Sequence, residues 1–281
     1  MGPPGGTGAE LAAGDRLGPY LVEARLGQGA TGIVFRAVRD DESRAVALKV
    51  LRRPLSADEQ FVRRFLREAA VARTVANSHL VPIVEAGEAE GRHYLASEYV
   101  EGGSLRDRLA EVGVLPLREV ARLAAGIGAA LDALHEADLV HRDVKPSNVM
   151  LTADGRALLA DFGLAKGPAH SVVTRPGELM GTPAYMAPEL ISGGEATPST
   201  DIYALGCVLY ECVTGAAPFA SPSLVEMVAA RLVQDPPDPS ETRPGLRPSL
   251  GSALHRALER DPARRPATGT ALAHLVGFAV R

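Results

Sequence analysis

Five stretches in the first hundred residues are rich in Val, Ile, Leu, Phe and Tyr and are bounded by polar or glycine-containing turns, a pattern typical of β-strands. Consecutive strands joined by short turns pair in the antiparallel direction. The pattern therefore predicts an antiparallel sheet near the start of the chain. Its predicted strands are residues 20–26, 33–39, 45–51, 80–86 and 93–99.

One helix is predicted among these strands. Residues 57–75 have helical periodicity, and Phe61 and Phe65 lie on one stripe. Glu68 falls on the same stripe, seven residues after Phe61. Because a carboxylate on an apolar face is costly without a partner, the pattern indicates a cation nearby.

From Pro116 onward the pattern changes to helices separated by Pro- and Gly-rich loops. Before this point, Ser104 follows a glycine break and is suited to cap a helix N-terminus. The predicted helices are residues 117–136, 199–214, 221–233, 249–259 and 267–279. Residues 138–195 are rich in loops, with short strands predicted at 149–151 and 157–160. Loops of this length are usually functional.

Composition excludes several classes of protein. The chain has 281 residues, 46% hydrophobic and 23% charged, which is enough to bury a substantial core. Its net charge of −4 gives no basic excess for binding nucleic acid. The longest strongly apolar run, residues 202–210, is far shorter than the about twenty residues that a membrane-spanning helix needs, so no membrane segment is predicted. Cys207 and Cys212 fit neither a disulfide framework nor a zinc site.

A glycine motif lies between the first two predicted strands. Gly27, Gly29 and Gly32 form a G-x-G-x-x-G pattern, in which absent side chains let backbone N–H groups approach phosphates. A dinucleotide-binding fingerprint would continue as a helix, whereas Ile33 begins a β-branched and aromatic stretch. The pattern favours a Gly-rich loop in an antiparallel hairpin, with an ordinary glycine hairpin as the alternative.

Lysine is scarce. Three of the 30 Lys and Arg residues are lysines, namely Lys49, Lys145 and Lys166. A lysine retained in such a chain indicates a position where a compact ammonium group matters. Lys49 lies inside the third strand, where it could reach phosphate oxygens and pair with Glu68. A buried pair is poor evidence for stability, so a positioning role is the better explanation. The alternative is that the Lys49 ammonium group extends to solvent and that Glu68 lies, unrelated to it, at the edge of the apolar helix face.

Several motifs then follow in order: His141-Arg142-Asp143-Val144-Lys145-Pro146-Ser147-Asn148, Asp161-Phe162-Gly163, Ala187-Pro188-Glu189, Asp201-Ile202-Tyr203-Ala204-Leu205-Gly206 and Arg265 before Pro266. In these motifs the chain resembles the protein kinase superfamily, and its overall sequence resembles that of the bacterial Hanks-type serine/threonine kinases. The resemblance covers residues 20–270. It implies an α+β, bilobal protein kinase fold, with an N-lobe of antiparallel β-sheet plus one main helix and a mostly α-helical C-lobe. The implied segments are a flexible tail (1–14), the N-lobe (15–97), a hinge (98–104) and the C-lobe (105–281).

The resemblance also implies an activity. It implies transfer of the γ-phosphoryl group of ATP to Ser or Thr hydroxyls of protein substrates, with Mg²⁺ as cofactor and Mn²⁺ as a substitute. Asp143 is implied to accept or orient the hydroxyl proton and Lys145 to offset charge on the moving phosphoryl group. Asn148 and Asp161 are implied to bind the metal. The implied nucleotide-binding residues are Leu26, Gly27, Gln28, Gly29, Ala30, Thr31, Gly32, Val34, Ala47, Lys49, Glu68, Glu98, Val100 and Met150.

Regulation by phosphorylation is implied as well. Arg142 stands beside the proposed catalytic Asp143, where a guanidinium group can capture a phosphate on the following loop. Thr174 is the first candidate phosphosite and Ser171 the second, with ordinary polar loop residues as the alternative. Thr182 is implied to bond Asp143 as part of a substrate platform.

Three further residues resemble structural positions of the family, and two rival functions stay open. Glu189 and Arg265 resemble a structural ion pair of the family, and Asp201 resembles the residue that braces the catalytic loop. The rivals are a catalytically silent pseudokinase that acts as an ATP-binding scaffold and a small-molecule kinase. The Thr182 platform argues against the second rival. A cytoplasmic location and a homodimer formed through the N-lobe are further expectations, and a truncated membrane-anchored sensor kinase stays open.

Overall fold

The computed structural model describes residues 10–29, 31–40, 44–161 and 183–280. These residues form two compact units. The first contains the described residues up to Arg73 together with Pro82–Tyr99, and the second contains Thr74–Val81 together with the described residues from Val100 onward. The first unit is dominated by a sheet and the second by helices, as the hydrophobic pattern predicts.

The first unit is built on a six-stranded antiparallel sheet. Its strands are β1 (Arg16–Leu17), β2 (Tyr20–Gln28), β3 (Gly32–Arg39), β4 (Ala45–Leu51), β5 (Ile83–Ala89) and β6 (Arg92–Glu98). They are hydrogen-bonded in the order β1-β2-β3-β4-β6-β5. Two helices, α1 (Arg53–Ser56) and α2 (Glu59–Thr74), follow β4. The single main helix of the prediction is therefore α2.

A buried apolar cluster lies on one face of this sheet. Alternate residues of β4 belong to this cluster, whereas the intervening residues, including Lys49, are half-buried on the other face. The cluster consists of Leu17, Tyr20, Val22, Phe35, Ala37, Val46, Leu48, Val50, Tyr94 and Ala96. Leu11 packs against it, and Gly14 N–H donates to Val22 O at 2.9 Å. Residues 11 and 14, within the predicted tail, therefore belong to the packed structure of the first unit.

The fourth predicted strand, residues 80–86, differs from the observed β5. Leu80 forms a parallel bridge with Leu159, and Val81 N–H donates to Leu159 O at 2.9 Å. Both residues therefore pair within the second unit, and β5 starts only at Ile83, after Pro82. An apolar run alone does not show that its first residues pair with a different set of partners.

The second unit consists mainly of helices. These are α3 (Leu105–Val112), α4 (Leu117–Glu136), α5 (Pro188–Ile191), α6 (Pro198–Thr214), α7 (Leu224–Val233), α8 (Pro239–Thr242), α9 (Pro248–Ala257) and α10 (Gly269–Ala279). Strands β7 (Val149–Leu151) and β8 (Ala157–Leu159) form a small hairpin. Ser104 caps α3 as predicted, and it forms a reciprocal capping box with Asp107.

Helix α6 is the centre of this unit, since nearly all of its residues are buried. Helices α4 and α10 approach so closely that a Cβ atom on Gly128 would lie 2.5 Å from Gly269 O. Glycine is therefore required where these two backbones meet. None of the helices in the described parts of the chain is both long and apolar enough to cross a membrane.

Candidate active site

The loop that carries the predicted catalytic residues is held by a buried carboxylate. Asp201, on α6, has an exposed fraction of 1%. Its Oδ2 accepts from His141 N–H at 2.7 Å, and its Oδ1 accepts from Arg142 N–H at 2.8 Å. His135 Nε2, at the end of α4, lies 2.8 Å from the same Oδ2. Asp201 therefore fixes the backbone at the start of the loop, which is the bracing role that the sequence motif implies.

His141 orients the next part of the loop. Its Nδ1 accepts from Asp143 N–H at 3.3 Å, and its Nε2 lies 3.1 Å from Ala160 O. These partners assign a neutral ring with the proton on Nε2. Burial lowers the pKa of His141 below its ordinary value, which agrees with that assignment. The ring thereby connects the backbone of Asp143 to the residue that precedes Asp161.

Three predicted catalytic residues meet at one carboxylate. Asp143 Oδ2 accepts from Lys145 Nζ at 2.8 Å and from Asn148 Nδ2 at 3.0 Å. Asn148 Nδ2 also donates to Asp143 O at 2.8 Å. Two side-chain donors on one oxygen fix the direction of the carboxylate, so Asp143 is a preorganised proton acceptor beside a cation.

Two residues of this region have strained backbones. Arg142 has φ 64° and Asp161 has φ 56°, both in the left-handed region that non-glycine residues rarely adopt. Such conformations persist only where the surrounding contacts impose them, and they cluster at functional sites. For Arg142 the imposing contact is the bond from its N–H to Asp201.

The donor set fits a magnesium ion that arrives with a nucleotide. In both of the hydrogen bonds that the Asn148 side chain forms with described residues, Nδ2 is the donor, so Oδ1 is the atom that can act as a metal ligand. Asp161 supplies a half-buried carboxylate, and Ala160 N–H donates to Asn148 O at 2.8 Å, which ties the two positions together. Over the described residues, no cluster of three His, Cys, Asp or Glu side chains could hold a metal. Mg²⁺ commonly binds one or two protein ligands plus phosphate and water oxygens, so this pair suffices.

In the first unit, Lys49 and Glu68 occupy the positions that the sequence pattern predicts. Lys49 is half-buried on β4, opposite Val34 of β3 and Leu95 of β6. Glu68 lies among the buried residues of α2, together with Phe61 and Phe65, and its exposed fraction is 9%. The pairing of Lys49 with Glu68 was inferred from a charged residue in each of two apolar sequence patterns, and it stays a prediction.

The glycine motif forms the predicted hairpin between β2 and β3. Gly29 N–H donates to Gly32 O at 2.8 Å, and Gly27 is paired with Val34 across the two strands. A Cβ on Gly32 would lie 2.3 Å from Val50 O, so packing requires this glycine. A Cβ on Gly27 or Gly29 would meet no atom of the described residues within 4 Å. Packing does not explain those two glycines, whereas close approach of a phosphate would.

The other predicted nucleotide-binding residues divide between the two units. Leu26, Gln28, Thr31, Val34, Ala47 and Glu98 belong to the first unit, and Val100 and Met150 belong to the second. Ala30, Ser171, Thr174 and Thr182 lie outside the described residues, as do Phe162, Gly163 and Lys166. Their predicted roles therefore stay predictions.

Three sets of side-chain contacts hold the segment just after Thr182. Glu189 forms a two-bond ion pair with Arg265, with N···O distances of 2.6 and 2.7 Å, as the motif implies. Tyr185 Oη donates to Glu211 Oε2 at 2.5 Å, and burial raises the pKa of both groups. The third set of contacts is made by Arg231, on α7, which the sequence analysis missed. Its exposed fraction is 1%, and its guanidinium group donates to the carbonyls of this segment.

Comparison with known proteins identifies the class. A family model described as "Protein kinase domain" matches residues 20–276. The serine/threonine-protein kinase PknD of Mycobacterium tuberculosis is 41% identical over 247 residues, which cover 87% of this chain and 37% of PknD. PknE of Mycobacterium bovis is 39% identical over 250 residues, which cover 89% of this chain and 44% of PknE. The chain spans less than half the length of these relatives.

A solved structure gives the same result. The kinase domain of Mycobacterium tuberculosis PknI is similar with a TM-score of 0.76 and 34% identity, over 96% of this chain and 100% of that one. The chain therefore belongs to the protein kinase family, and the predicted α+β kinase fold is confirmed. The relatives bear the names of bacterial serine/threonine kinases, which agrees with the resemblance found in the motifs.

Proposed function

We propose that this protein transfers the γ-phosphoryl group of ATP to Ser or Thr hydroxyls of protein substrates. The observation that carries the proposal is the arrangement of Asp143, whose Oδ2 accepts from both Lys145 Nζ and Asn148 Nδ2. Phosphoryl transfer depends on positioning and on neutralising charge more than on covalent chemistry. A fixed carboxylate with an adjacent ammonium group supplies both.

The chemical step is a single displacement. The hydroxyl oxygen of the substrate forms a bond to the γ-phosphorus while the bond from that phosphorus to the β–γ bridging oxygen breaks, and ADP leaves. Asp143 accepts or orients the hydroxyl proton. Lys145 offsets negative charge on the transferred group, for which its compact ammonium group is suited. Its contact of 2.8 Å with Asp143 keeps it beside the attacking hydroxyl.

Asn148 and Asp161 would bind Mg²⁺, with Mn²⁺ as a substitute. When bound, the metal neutralises phosphate charge and fixes the geometry of the nucleotide. The Oδ1 of Asn148, which accepts no hydrogen bond from the described residues, and the half-buried carboxylate of Asp161 support this assignment. The strained backbone of Asp161 is consistent with a position imposed for function.

The nucleotide-binding residues that the family resemblance implies would hold ATP. Lys49 would bind the α- and β-phosphates, positioned by Glu68, and the backbone from Leu26 to Gly32 would cover the phosphates. The unexplained glycines at 27 and 29 support this role. Adenine would contact Val34, Ala47 and Met150 and bond to the backbone of Glu98 and Val100.

Activation by autophosphorylation is part of the proposal. Thr174 or Ser171 would receive phosphate, and Arg142 would bind it, while Thr182 would contact Asp143 as part of the substrate platform. By family resemblance we also propose a cytoplasmic location and a homodimer formed through residues 15–97. Autophosphorylation by a protein that stays monomeric, at a rate per molecule that does not change with protein concentration, would contradict the dimer.

Incubation with γ-labelled ATP, Mg²⁺ and a basic acceptor protein tests the activity, with mass spectrometry of the labelled residues. We expect phosphate on Ser and Thr of the acceptor and on Thr174 or Ser171 of the protein itself. Nucleotide binding without any transfer to protein would overturn the proposal in favour of the scaffold function. Transfer to a small metabolite but to no protein would overturn it in favour of a small-molecule kinase.

A further inference from the structure

Arg231 is a buried cation that the proposed mechanism does not use. It lies in the last turn of α7, and its exposed fraction is 1%. Nη1 donates to Pro183 O and, at 3.3 Å, to Met186 O. Nη2 donates to Ala184 O at 2.7 Å and to Pro218 O at 3.2 Å. The two terminal nitrogens thus reach four backbone carbonyl oxygens.

This arrangement is an expensive way to stabilise a fold. Burying a charged group costs free energy that an opposite charge normally offsets. The hydrogen-bond partners of Arg231 are neutral carbonyl groups, and its fifth donor, Nε, has no hydrogen-bond partner in the described part of the chain. The geometry therefore indicates that Arg231 is retained for what it positions.

What Arg231 positions is the segment that follows Thr182. Pro183, Ala184 and Met186 supply three of its four carbonyl partners. The fourth comes from Pro218, whose neighbour Phe219 has a left-handed backbone with φ 61°. The guanidinium group lies 5.8 Å from the centre of the Phe219 ring, within range of a cation–π interaction. Arg231 therefore joins the segment 183–186 to the loop that follows α6.

We propose that Arg231 is a positioning residue for the protein substrate, acting by fixing the carbonyl groups of the segment 183–186. This inference rests on the proposed function, because it assigns the segment next to Thr182 to acceptor binding. A residue with this role governs the affinity for the acceptor protein and leaves the affinity for ATP unchanged. A residue with a merely structural role would lower the apparent kcat through loss of folded protein and would leave the KM for the acceptor protein unchanged.

Arg231→Lys is the test variant, since it keeps the charge and removes the forked donor geometry. We expect the KM for the acceptor protein to rise by about tenfold or more, because that is the factor that one hydrogen bond from a charged donor is worth. The KM for ATP and the rate of ATP hydrolysis without acceptor should stay within about twofold of the wild type. An unchanged acceptor KM, or an equal rise in both KM values, would overturn the proposal.

Arg243→Lys is the matched control. Arg243 Nη1 also donates to two backbone carbonyls, Leu115 O at 3.1 Å and Val213 O at 3.2 Å, away from the segment 183–186. Its acceptor KM should equal that of the wild type. A rise equal to that of Arg231→Lys would show a general effect of removing a guanidinium group, and would overturn the proposal.

Phe219→Leu keeps the proposal testable if Arg231→Lys does not fold. It removes the cation–π contact and leaves Arg231 in place, so the acceptor KM should rise by roughly two- to fivefold. If that KM is unchanged, the proposal fails. The wild-type assay tests the proposed function separately. If that function is wrong, the wild type transfers no phosphate to any acceptor protein.

Discussion

Two loops of the helical unit are held by buried charges of opposite sign. The carboxylate of Asp201 accepts hydrogen bonds from the backbone N–H groups of His141 and Arg142, whereas the guanidinium group of Arg231 donates to the carbonyls of the segment 183–186. Both side chains have an exposed fraction of 1%. In both places a strained, left-handed backbone lies beside the buried charge, at Arg142 and at Phe219.

The difference between the two loops concerns what each charge positions. Asp201 holds a loop whose side chains perform the proposed chemistry, so its loss should affect the chemical step itself. Arg231 holds a segment assigned to the acceptor, so its loss should affect binding of that acceptor. Under the proposed function, one structural device, a buried charge bonded to backbone groups, would serve two different steps of the same reaction.

The largest effect is expected for Asp201→Asn, which would weaken the contacts that hold the first loop at His141 and Arg142. An amide is neutral and accepts through one oxygen, so both backbone N–H groups lose a charged acceptor and one of them loses its acceptor atom. We expect the free energy of unfolding to fall by about 3 kcal/mol and the transfer rate to fall by roughly 10²-fold, because the catalytic loop shifts. Chemical denaturation and initial rates of transfer measure the two effects.

Asp132→Asn is the control for this substitution. Asp132 also accepts from two backbone N–H groups, those of Gly269 at 2.6 Å and Thr270 at 2.8 Å, at the start of α10. Its loss should cost about 1 kcal/mol of stability, as for a helix cap, without changing the transfer rate of the folded protein. A transfer rate of Asp201→Asn that equals that of Asp132→Asn would contradict the account.

A loss of stability of similar size is expected for Glu189→Gln, which sharpens the comparison by testing a buried arginine that does have a carboxylate partner. The side chain of Arg265 is fully buried, and that of Glu189 is 19% exposed. Breaking one partner of a buried pair leaves an uncompensated charge, so we expect a loss of roughly 3 kcal/mol in unfolding experiments. Glu259→Gln, which removes the exposed pair with Arg264, should cost less than about 1 kcal/mol. Equal losses in the two variants would refute this explanation.

His141 provides a pH test of the first loop. Because burial lowers the pKa of His141, the unfolded chain takes up the proton first as the pH falls below about 6.5. The stability that the neutral ring contributes is therefore present above that pH and is lost in acid, by no more than about 1.4 kcal/mol per pH unit for one proton. Thermal melts of the wild type and of His141→Asn should show a gap that narrows as the pH falls. A gap independent of pH would contradict the prediction.

Glu211 should give the smallest effect, with the opposite sign, beside the second loop. Burial raises the pKa of this carboxyl, so the folded protein holds its proton more tightly than the unfolded chain. Its contribution is present below the ordinary glutamate pKa and is lost as the pH rises through the raised value. Relative to Glu211→Gln, the wild type should therefore lose stability as the pH rises from about 4. If the plots of stability against pH for the wild type and Glu211→Gln are parallel, the prediction is wrong.

Much of the fold could be predicted because periodicity marks the elements. Helix α4 was predicted with the bounds that the structure has, since its buried stripe recurs at helical spacing. The predicted start of β5 at residue 80 was wrong, since Leu80 and Val81 pair with Leu159 and the strand begins at Ile83. The local pattern of apolar residues does not show which distant residue a position pairs with.

The residues of the candidate site also differ in how well the sequence predicts them. Asp201 and the Glu189–Arg265 pair were predicted because side chains in a motif mark them. Arg231 was missed because its partners are backbone carbonyls, which every residue carries and which leave no trace in the sequence. One signal was available, since Arg231 lies four residues after Met227 on the buried face of α7. A charge on an apolar helix face is the same kind of signal that singled out Glu68.

The central claim is that Asp143 takes part in transfer of phosphate to protein. Its most direct test compares initial rates of transfer from γ-labelled ATP for the wild type and Asp143→Asn, with the affinity for ATP measured in parallel. The account predicts that the rate falls by roughly 10²- to 10⁴-fold, the range for loss of a general acid–base group, while the affinity for ATP stays within about twofold. Transfer by Asp143→Asn at the wild-type rate would contradict it.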